Sequence, residues 1–105
     1  MELIQNNMAQ IIALCEKHDV SELCVFGSIL TERFRSDSDV DVLVIFKRDG
    51  LSPFDYADNY FSLKFGLEDL LHREVDLIEY EAVKNPYFKE ELDETKAIIY
   101  SIQST

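Results

Sequence analysis

The sequence predicts an α/β (α+β) fold: a small mixed β-sheet flanked by helices. Three observations carry this. Short apolar segments rich in β-branched residues, at 23–26, 40–46 and 74–78, read as strands. Around them, apolar residues recur every three or four positions, the period of a helix buried along one side. The 105 residues, 47% hydrophobic and 30% charged, have the size and balance of one globular domain, so 1–105 reads as a single domain.

The first helix is expected from about Leu3 to His18, where Ile4, Met8, Ile11 and Cys15 are spaced four, three and four apart. Asp19 and Ser21 end it. Leu23-Cys24-Val25-Phe26 is a short buried strand, and Gly27-Ser28 follows at once. Ile29 to Phe34 is compatible with a short helix, and Arg35-Ser36-Asp37-Ser38 is a loop. The run Val40-Asp41-Val42-Leu43-Val44-Ile45-Phe46 is the strongest strand signal in the chain. Asp49-Gly50 signals a turn.

Ser52 before Pro53 reads as an N-cap followed by proline in the first turn. The helix behind it carries Tyr56, Tyr60, Leu63, Leu67 and Leu70 on one stripe, and Gly66 within it implies close packing. Glu74-Val75-Asp76-Leu77-Ile78 is a third strand. Asn85-Pro86 repeats the cap-then-proline start, and Phe88, Leu92, Thr95, Ile99 and Ile102 predict a last helix. The order α-β-α-β-α-β-α, with helices between successive strands, implies a mostly parallel or mixed sheet covered by helices.

Charge narrows the function. Ten Lys and Arg against 21 Asp and Glu give a net charge of −11, with most of the excess acid in the second half. Nucleic-acid backbones are gripped by Lys and Arg that release counterions, so direct nucleic-acid binding is not expected. An acidic surface instead attracts basic partners. No apolar run approaches the ~18–20 residues that span a bilayer, and Met1-Glu2-Leu3-Ile4 shows no signal-peptide pattern. Cys15 and Cys24 form no CxxC pair and read as buried thiols in a reducing cytoplasm; His18 and His72 add too few ligands for structural zinc.

Three carboxylates carry the chemistry. Asp39 and Asp41 are two residues apart in extended chain, so they project from one face with Cα atoms about 6.6–6.8 Å apart. Paired acids on one strand face repel each other, which a cation relieves. Asp76 lies near the start of the third strand, where an adjacent strand could bring it beside the pair. Three carboxylates around one point suit a hard cation such as Mg²⁺ held jointly with substrate phosphates. Gly27 permits a close backbone approach to an anion, and Ser28 with the following helix start offers donors to phosphate oxygens. A calcium loop beginning at Asp37 is excluded: its sixth position is Val42 where glycine is required, and its twelfth is Arg48 where an acid belongs.

Gly27-Ser28, ten residues, then Asp39-Val40-Asp41 followed by Val42-Leu43-Val44 resembles the GS-x10-DxD signature of the minimal nucleotidyltransferase family, in the polymerase-β-like superfamily that includes MntA-like antitoxins. Asp76 in Val75-Asp76-Leu77-Ile78 matches the third carboxylate of that family, and the segment from Asn85-Pro86-Tyr87 to Tyr100 resembles its C-terminal part. The resemblance covers nearly the whole chain and implies the polymerase-β-like fold. It implies two Mg²⁺ ions on Asp39, Asp41 and Asp76, with Asp76 also accepting the acceptor's proton, and ATP as substrate with Gly27 and Ser28 at its β- and γ-phosphates.

The resemblance further implies a HEPN-type toxin as partner, with AMP placed on one of its tyrosines, so that the chain acts as an antitoxin. Two other readings stand beside this one. An acidic module could neutralise a basic partner by contact alone, or a small-molecule, antibiotic-modifying transferase could carry the same site. Among the remaining residues, Arg33 and Arg35 lie between the two halves of the motif and are either triphosphate contacts or surface charges, Arg35 being the candidate nucleotide-binding residue, and Lys64 reads as a snorkelling stem. Tyr56, Tyr60 and Phe61 read as core or interface, so an oligomer is possible. Glu90-Glu91 with Asp93-Glu94 reads as a solvated helix face, and His18 and His72 as helix-end residues.

Overall fold

In the computed structural model, which describes residues 2–47 and 52–102, the sheet has four strands in the order β3-β2-β1-β4. These are β1 (Val20–Phe26), β2 (Val40–Phe46), β3 (Val75–Glu79) and β4 (Ala97–Ser101). β1 pairs antiparallel with both β2 and β4, whereas β2 and β3 are parallel, so the sheet is mixed. The antiparallel β1–β2 pair is joined by a 3-10 turn at Gly27–Leu30 and the loop after it. The parallel β2–β3 pair is joined by a long helix, the crossover that parallel strands require.

Helices α1 (Glu2–Asn6) and α2 (Met8–Lys17) precede β1, α3 (Pro53–Leu71) connects β2 to β3, and α4 (Pro86–Thr95) precedes β4. One face of the sheet, with Val20, Leu23, Val25, Val40, Val42 and Val44, packs on Ile4, Ile11 and Cys15 of the first two helices and Leu63, Leu67 and Leu71 of α3. The alternation of valines in β2 sends them all to this side. The other face carries a smaller cluster of Cys24, Leu43 and Leu92, the last from α4.

Both predicted cap-and-proline starts are present. Ser52 Oγ accepts from the Asp55 N–H, and Asn85 Oδ1 accepts from the Tyr87 and Phe88 N–H groups. Gly66 is where α3 meets α2: a Cβ there would stand 3.0 Å from Leu14 Cδ2. The predicted Asp49-Gly50 turn lies outside the described residues.

The structure corrects five elements. The first strand begins at Val20 rather than Leu23, so Ser21, expected to end the first helix, lies inside it. The first helix is broken at Asn7, whose side chain donates to the Leu3 carbonyl at 2.8 Å. The expected helix at 29–34 is only a 3-10 turn beginning at Gly27. The third strand runs over 75–79 rather than 74–78. The last helix stops at Thr95, and Ala97-Ile98-Ile99-Tyr100-Ser101 is a strand. Lys96 is extended there, so Ile99 and Ile102 leave the helical stripe that Phe88 and Leu92 begin. β-branched residues at 98 and 99 favour the strand, and β1 has a free edge that this strand covers.

Candidate active site

Strand register assembles the predicted residues. Phe26 is the partner of Asp41 across the β1–β2 pair, so the Gly27-Ser28 bend leaves β1 directly beside that carboxylate. Gly27 has φ +74°, and a Cβ on it would stand 2.4 Å from Asp41 Oδ2. Glycine is required twice over, by its backbone conformation and by the space the carboxylate occupies. The Ser28 carbonyl closes the turn by accepting from both the N–H and the hydroxyl of Thr31, each at 2.9 Å.

Asp41 and Asp76 are register partners in the parallel β2–β3 pair, so they stand side by side on one face. Asp39 immediately precedes β2, and the next residue is tied down: the Val40 N–H donates to the Glu74 carbonyl at 3.0 Å. The Asp41 carboxyl is held above the usual carboxylate range, chiefly by burial and then by the negative charges of Asp76 and Asp39. The three acids therefore share one electrostatic field.

Two side chains of α3 reach the backbone of β3. The Tyr60 hydroxyl donates to the Leu77 carbonyl, and Glu68 Oε2 accepts from the Val75 N–H at 3.0 Å. Burial, then the charges of Asp76 and Glu79, push the Tyr60 phenol up. Beside the Glu68–Val75 attachment lies a cavity of about 270 Å³, lined by Asp39, Lys64, Glu68, Glu74, Val75 and Asp76. Lys64, read from the sequence as a snorkelling stem, lines the same cavity as Asp39 and Asp76.

Among the described residues, no three His, Cys, Asp or Glu side chains are gathered tightly enough to enclose a metal ion by themselves. Mg²⁺ is ordinarily held by one or two carboxylates together with substrate phosphates and waters rather than by a protein cage. Asp39 and Asp76, the two predicted carboxylates that line the cavity, are donors of that kind, so this pair fits an ion whose remaining ligands come from phosphate and water.

Arg35 is exposed in the loop between the bend and the acids, and its backbone N–H donates to Ser38 Oγ at 2.9 Å. Sequence reasoning missed what holds this loop. Arg73, two residues before β3, donates through Nη1 to the carbonyls of Arg35 (3.1 Å) and Ser38 (3.0 Å), and its guanidinium lies 4.7 Å from the centre of the Phe34 ring. Its Nε is buried with no hydrogen-bond partner among the described residues. An arginine directly ahead of a strand carrying a candidate ligand was the available signal.

The other candidates lie elsewhere. His18 is buried, with Nδ1 3.0 Å from Asn59 Oδ1, while Asn59 Nδ2 donates back to the His18 carbonyl. His72 caps α3 in the left-handed conformation. Arg33 is exposed, its N–H donating to Thr31 Oγ1. Cys15 and Cys24 are free and buried, and burial pushes each thiol up to about 12. Asp93, on the acidic face of α4, accepts from the Tyr80 hydroxyl and from Lys96. Among the described residues, no helix is long and apolar enough to cross a membrane.

Comparison with known proteins decides the family. A family model described as "Polymerase beta, Nucleotidyltransferase" matches residues 9–105. The chain belongs to this nucleotidyltransferase family. A relative of the nucleotidyltransferase from Methanocaldococcus jannaschii, provisionally named a protein adenylyltransferase, is 40% identical over 81 residues, covering 77% of this chain and 78% of the relative. A solved structure provisionally described as a minimal nucleotidyltransferase superposes with a TM-score of 0.67 at 28% identity, over 91% of this chain and 92% of that one. A toxin–antitoxin complex with AMP-PNP gives a TM-score of 0.70 at 20% identity, over 92% and 75%. A tri-AMPylated Shewanella oneidensis HEPN toxin with its MNT antitoxin gives 0.59 at 21%, over 92% and 71%. The last two show that this nucleotidyltransferase shares their fold.

Proposed function

We propose that this nucleotidyltransferase transfers AMP from ATP to a hydroxyl of another protein, a tyrosine of a HEPN-type toxin, and so acts as its antitoxin. The observation that carries the reading is the placement of Gly27-Ser28 against Asp41, with Asp76 as the strand partner of Asp41 and Asp39 two residues away. The name of the Methanocaldococcus jannaschii relative and the description of the AMPylated HEPN complex support the acceptor class. The bound AMP-PNP of the other complex supports ATP.

In this reading Asp39, Asp41 and Asp76 would hold two Mg²⁺ ions, which would supply the positive charge that a protein of net charge −11 lacks. The backbone and hydroxyl of Gly27-Ser28 and the side chain of Arg35 receive the β- and γ-phosphates. The acceptor oxygen forms a bond to the α-phosphorus, the bond from that phosphorus to the bridging oxygen breaks, and pyrophosphate leaves with the bonding pair. The acceptor's proton passes to the Asp76 carboxylate. Two buried, unbridged thiols support a reducing, cytoplasmic setting.

The acidic surface favours a second reading, neutralisation of a basic partner by contact alone. One experiment separates the two. The HEPN-type partner is incubated with ATP, Mg²⁺ and either wild type or Asp39→Asn/Asp41→Asn, and its intact mass is read. Gain of AMP with wild type alone supports transfer. Neutralisation by both proteins without any mass gain overturns it in favour of contact.

A further inference from the structure

Tyr60, Lys64 and Glu68 are spaced by four on α3 and so share one helix face. The outer two are pinned to the edge of β3, Tyr60 at the Leu77 carbonyl and Glu68 at the Val75 N–H. Lys64, midway between them, is therefore held at the level of Asp76, the residue between those two attachment points. It is half-buried and is the one cationic side chain among four carboxylates, Asp39, Glu68, Glu74 and Asp76, that line the 270 Å³ cavity. Among the described residues it makes no ion pair within 4.0 Å, although it faces this surplus of negative charge.

From this placement we infer that Lys64 is a resident counter-cation that makes divalent-metal binding conditional on the triphosphate. The inference rests on the assignment of Asp39, Asp41 and Asp76 as metal-holding residues. With the site empty, the ammonium offsets the charge of Asp39 and Asp76. A divalent ion arriving alone meets the positive charge of that ammonium in the same cavity. When the ion arrives with a nucleotide, the flexible four-carbon stem lets the ammonium turn from the carboxylates to phosphate oxygens, and repulsion becomes attraction. Metal and nucleotide then strengthen each other's binding by the same factor. Removing one positive charge from a cavity that receives a divalent ion is expected to change its affinity about tenfold.

The test is calorimetric titration of Mn²⁺ into the nucleotide-free protein and into its complex with AMP-PNP. Lys64→Met keeps the stem and removes the charge; Lys64→Gln replaces it should the methionine variant not fold. The expected result is roughly tenfold tighter Mn²⁺ binding to the nucleotide-free variant, with the enhancement by AMP-PNP reduced by a similar factor; Lys64→Arg behaves as wild type. Equal or weaker Mn²⁺ binding by the charge-removed variant overturns the inference. Asp41→Asn, titrated in parallel, keeps two failures apart. If it loses Mn²⁺ while Lys64→Met matches wild type, only the role of Lys64 falls. If it binds Mn²⁺ as wild type does, the metal assignment falls and the inference with it.

Discussion

Gly27 and Asp41 are in contact across the end of the β1–β2 pair, so closely that a methyl group on Gly27 would stand 2.4 Å from Asp41 Oδ2. The bend and the central carboxylate are therefore one structural unit, and replacing Gly27 tests both. Gly27→Ala places an L-residue at φ +74°, which costs ~1–2 kcal/mol. It also drives Asp41 from its position. The expected outcome is a modest fall in melting temperature together with loss of metal-dependent AMP-PNP binding. Full nucleotide affinity in the folded variant would show that the Asp41 position is not required.

Arg73 joins the segment before β3 to the loop before β2, and hence the start of the Asp76 strand to the loop that leads into Asp39 and Asp41. Arg73→Ala removes two hydrogen bonds from a charged donor and the contact with Phe34, a loss of about 1–3 kcal/mol. Hydrogen exchange is expected to quicken at amides 35–40 more than in α2 or β4. Arg73→Lys keeps charge but not the planar fork, so it should rescue only in part. Uniform quickening across the protein would mean that Arg73 serves global stability alone.

How much of this was legible in the sequence follows from how local each determinant is. The β2 strand, the two cap-and-proline starts and the Gly27-Ser28 to Asp39-Asp41 spacing depend on neighbouring residues, and all are in place. The pairing of Asp41 with Asp76 required only that β2 and β3 be parallel neighbours, which a long connecting helix favours. The β4 strand was hidden because Leu92, Thr95, Ile99 and Ile102 fit a helical period by chance, while the decisive fact is the distant edge of β1. The brace from Arg73 to Ser38 and the approach of Lys64 to the acids span 35 residues or cross between elements, so no local pattern encodes them.

Gly66 sets helix propensity against packing. Alanine there would favour α3 by ~0.5–1 kcal/mol, but its Cβ meets Leu14 Cδ2 at 3.0 Å. Leu14 has somewhere to go, because it lines a cavity of about 430 Å³ with Gln10, Ala13, Lys17, Gly66, Asp69 and Leu70. Gly66→Ala is therefore expected to raise the melting temperature slightly and leave nucleotide binding unchanged. A lower melting temperature would mean that Leu14 cannot shift.

Asp41→Asn should separate stability from function, with a sign fixed by its electrostatics. Burial and the charges of Asp76 and Asp39 raise the Asp41 carboxyl above the 3.8 of an unperturbed aspartate. The folded protein thus holds this proton to higher pH than the unfolded chain does. Stability falls as pH rises from below 3.8 through the raised value, then levels off with Asp41 ionised at a cost to the fold. Asparagine carries no charge to desolvate or repel. In chelator, Asp41→Asn should melt higher than wild type at pH 7, and the gap should close as pH falls below 3.8, where Asp41 is protonated in the folded and the unfolded chain alike. The same substitution should abolish Mg²⁺-dependent AMP-PNP binding. A carboxylate that destabilises the metal-free fold yet is required for the ligand is the pattern of a residue placed for function. A variant that melts lower at pH 7 would show instead that the Asp41 charge is stabilised by a partner.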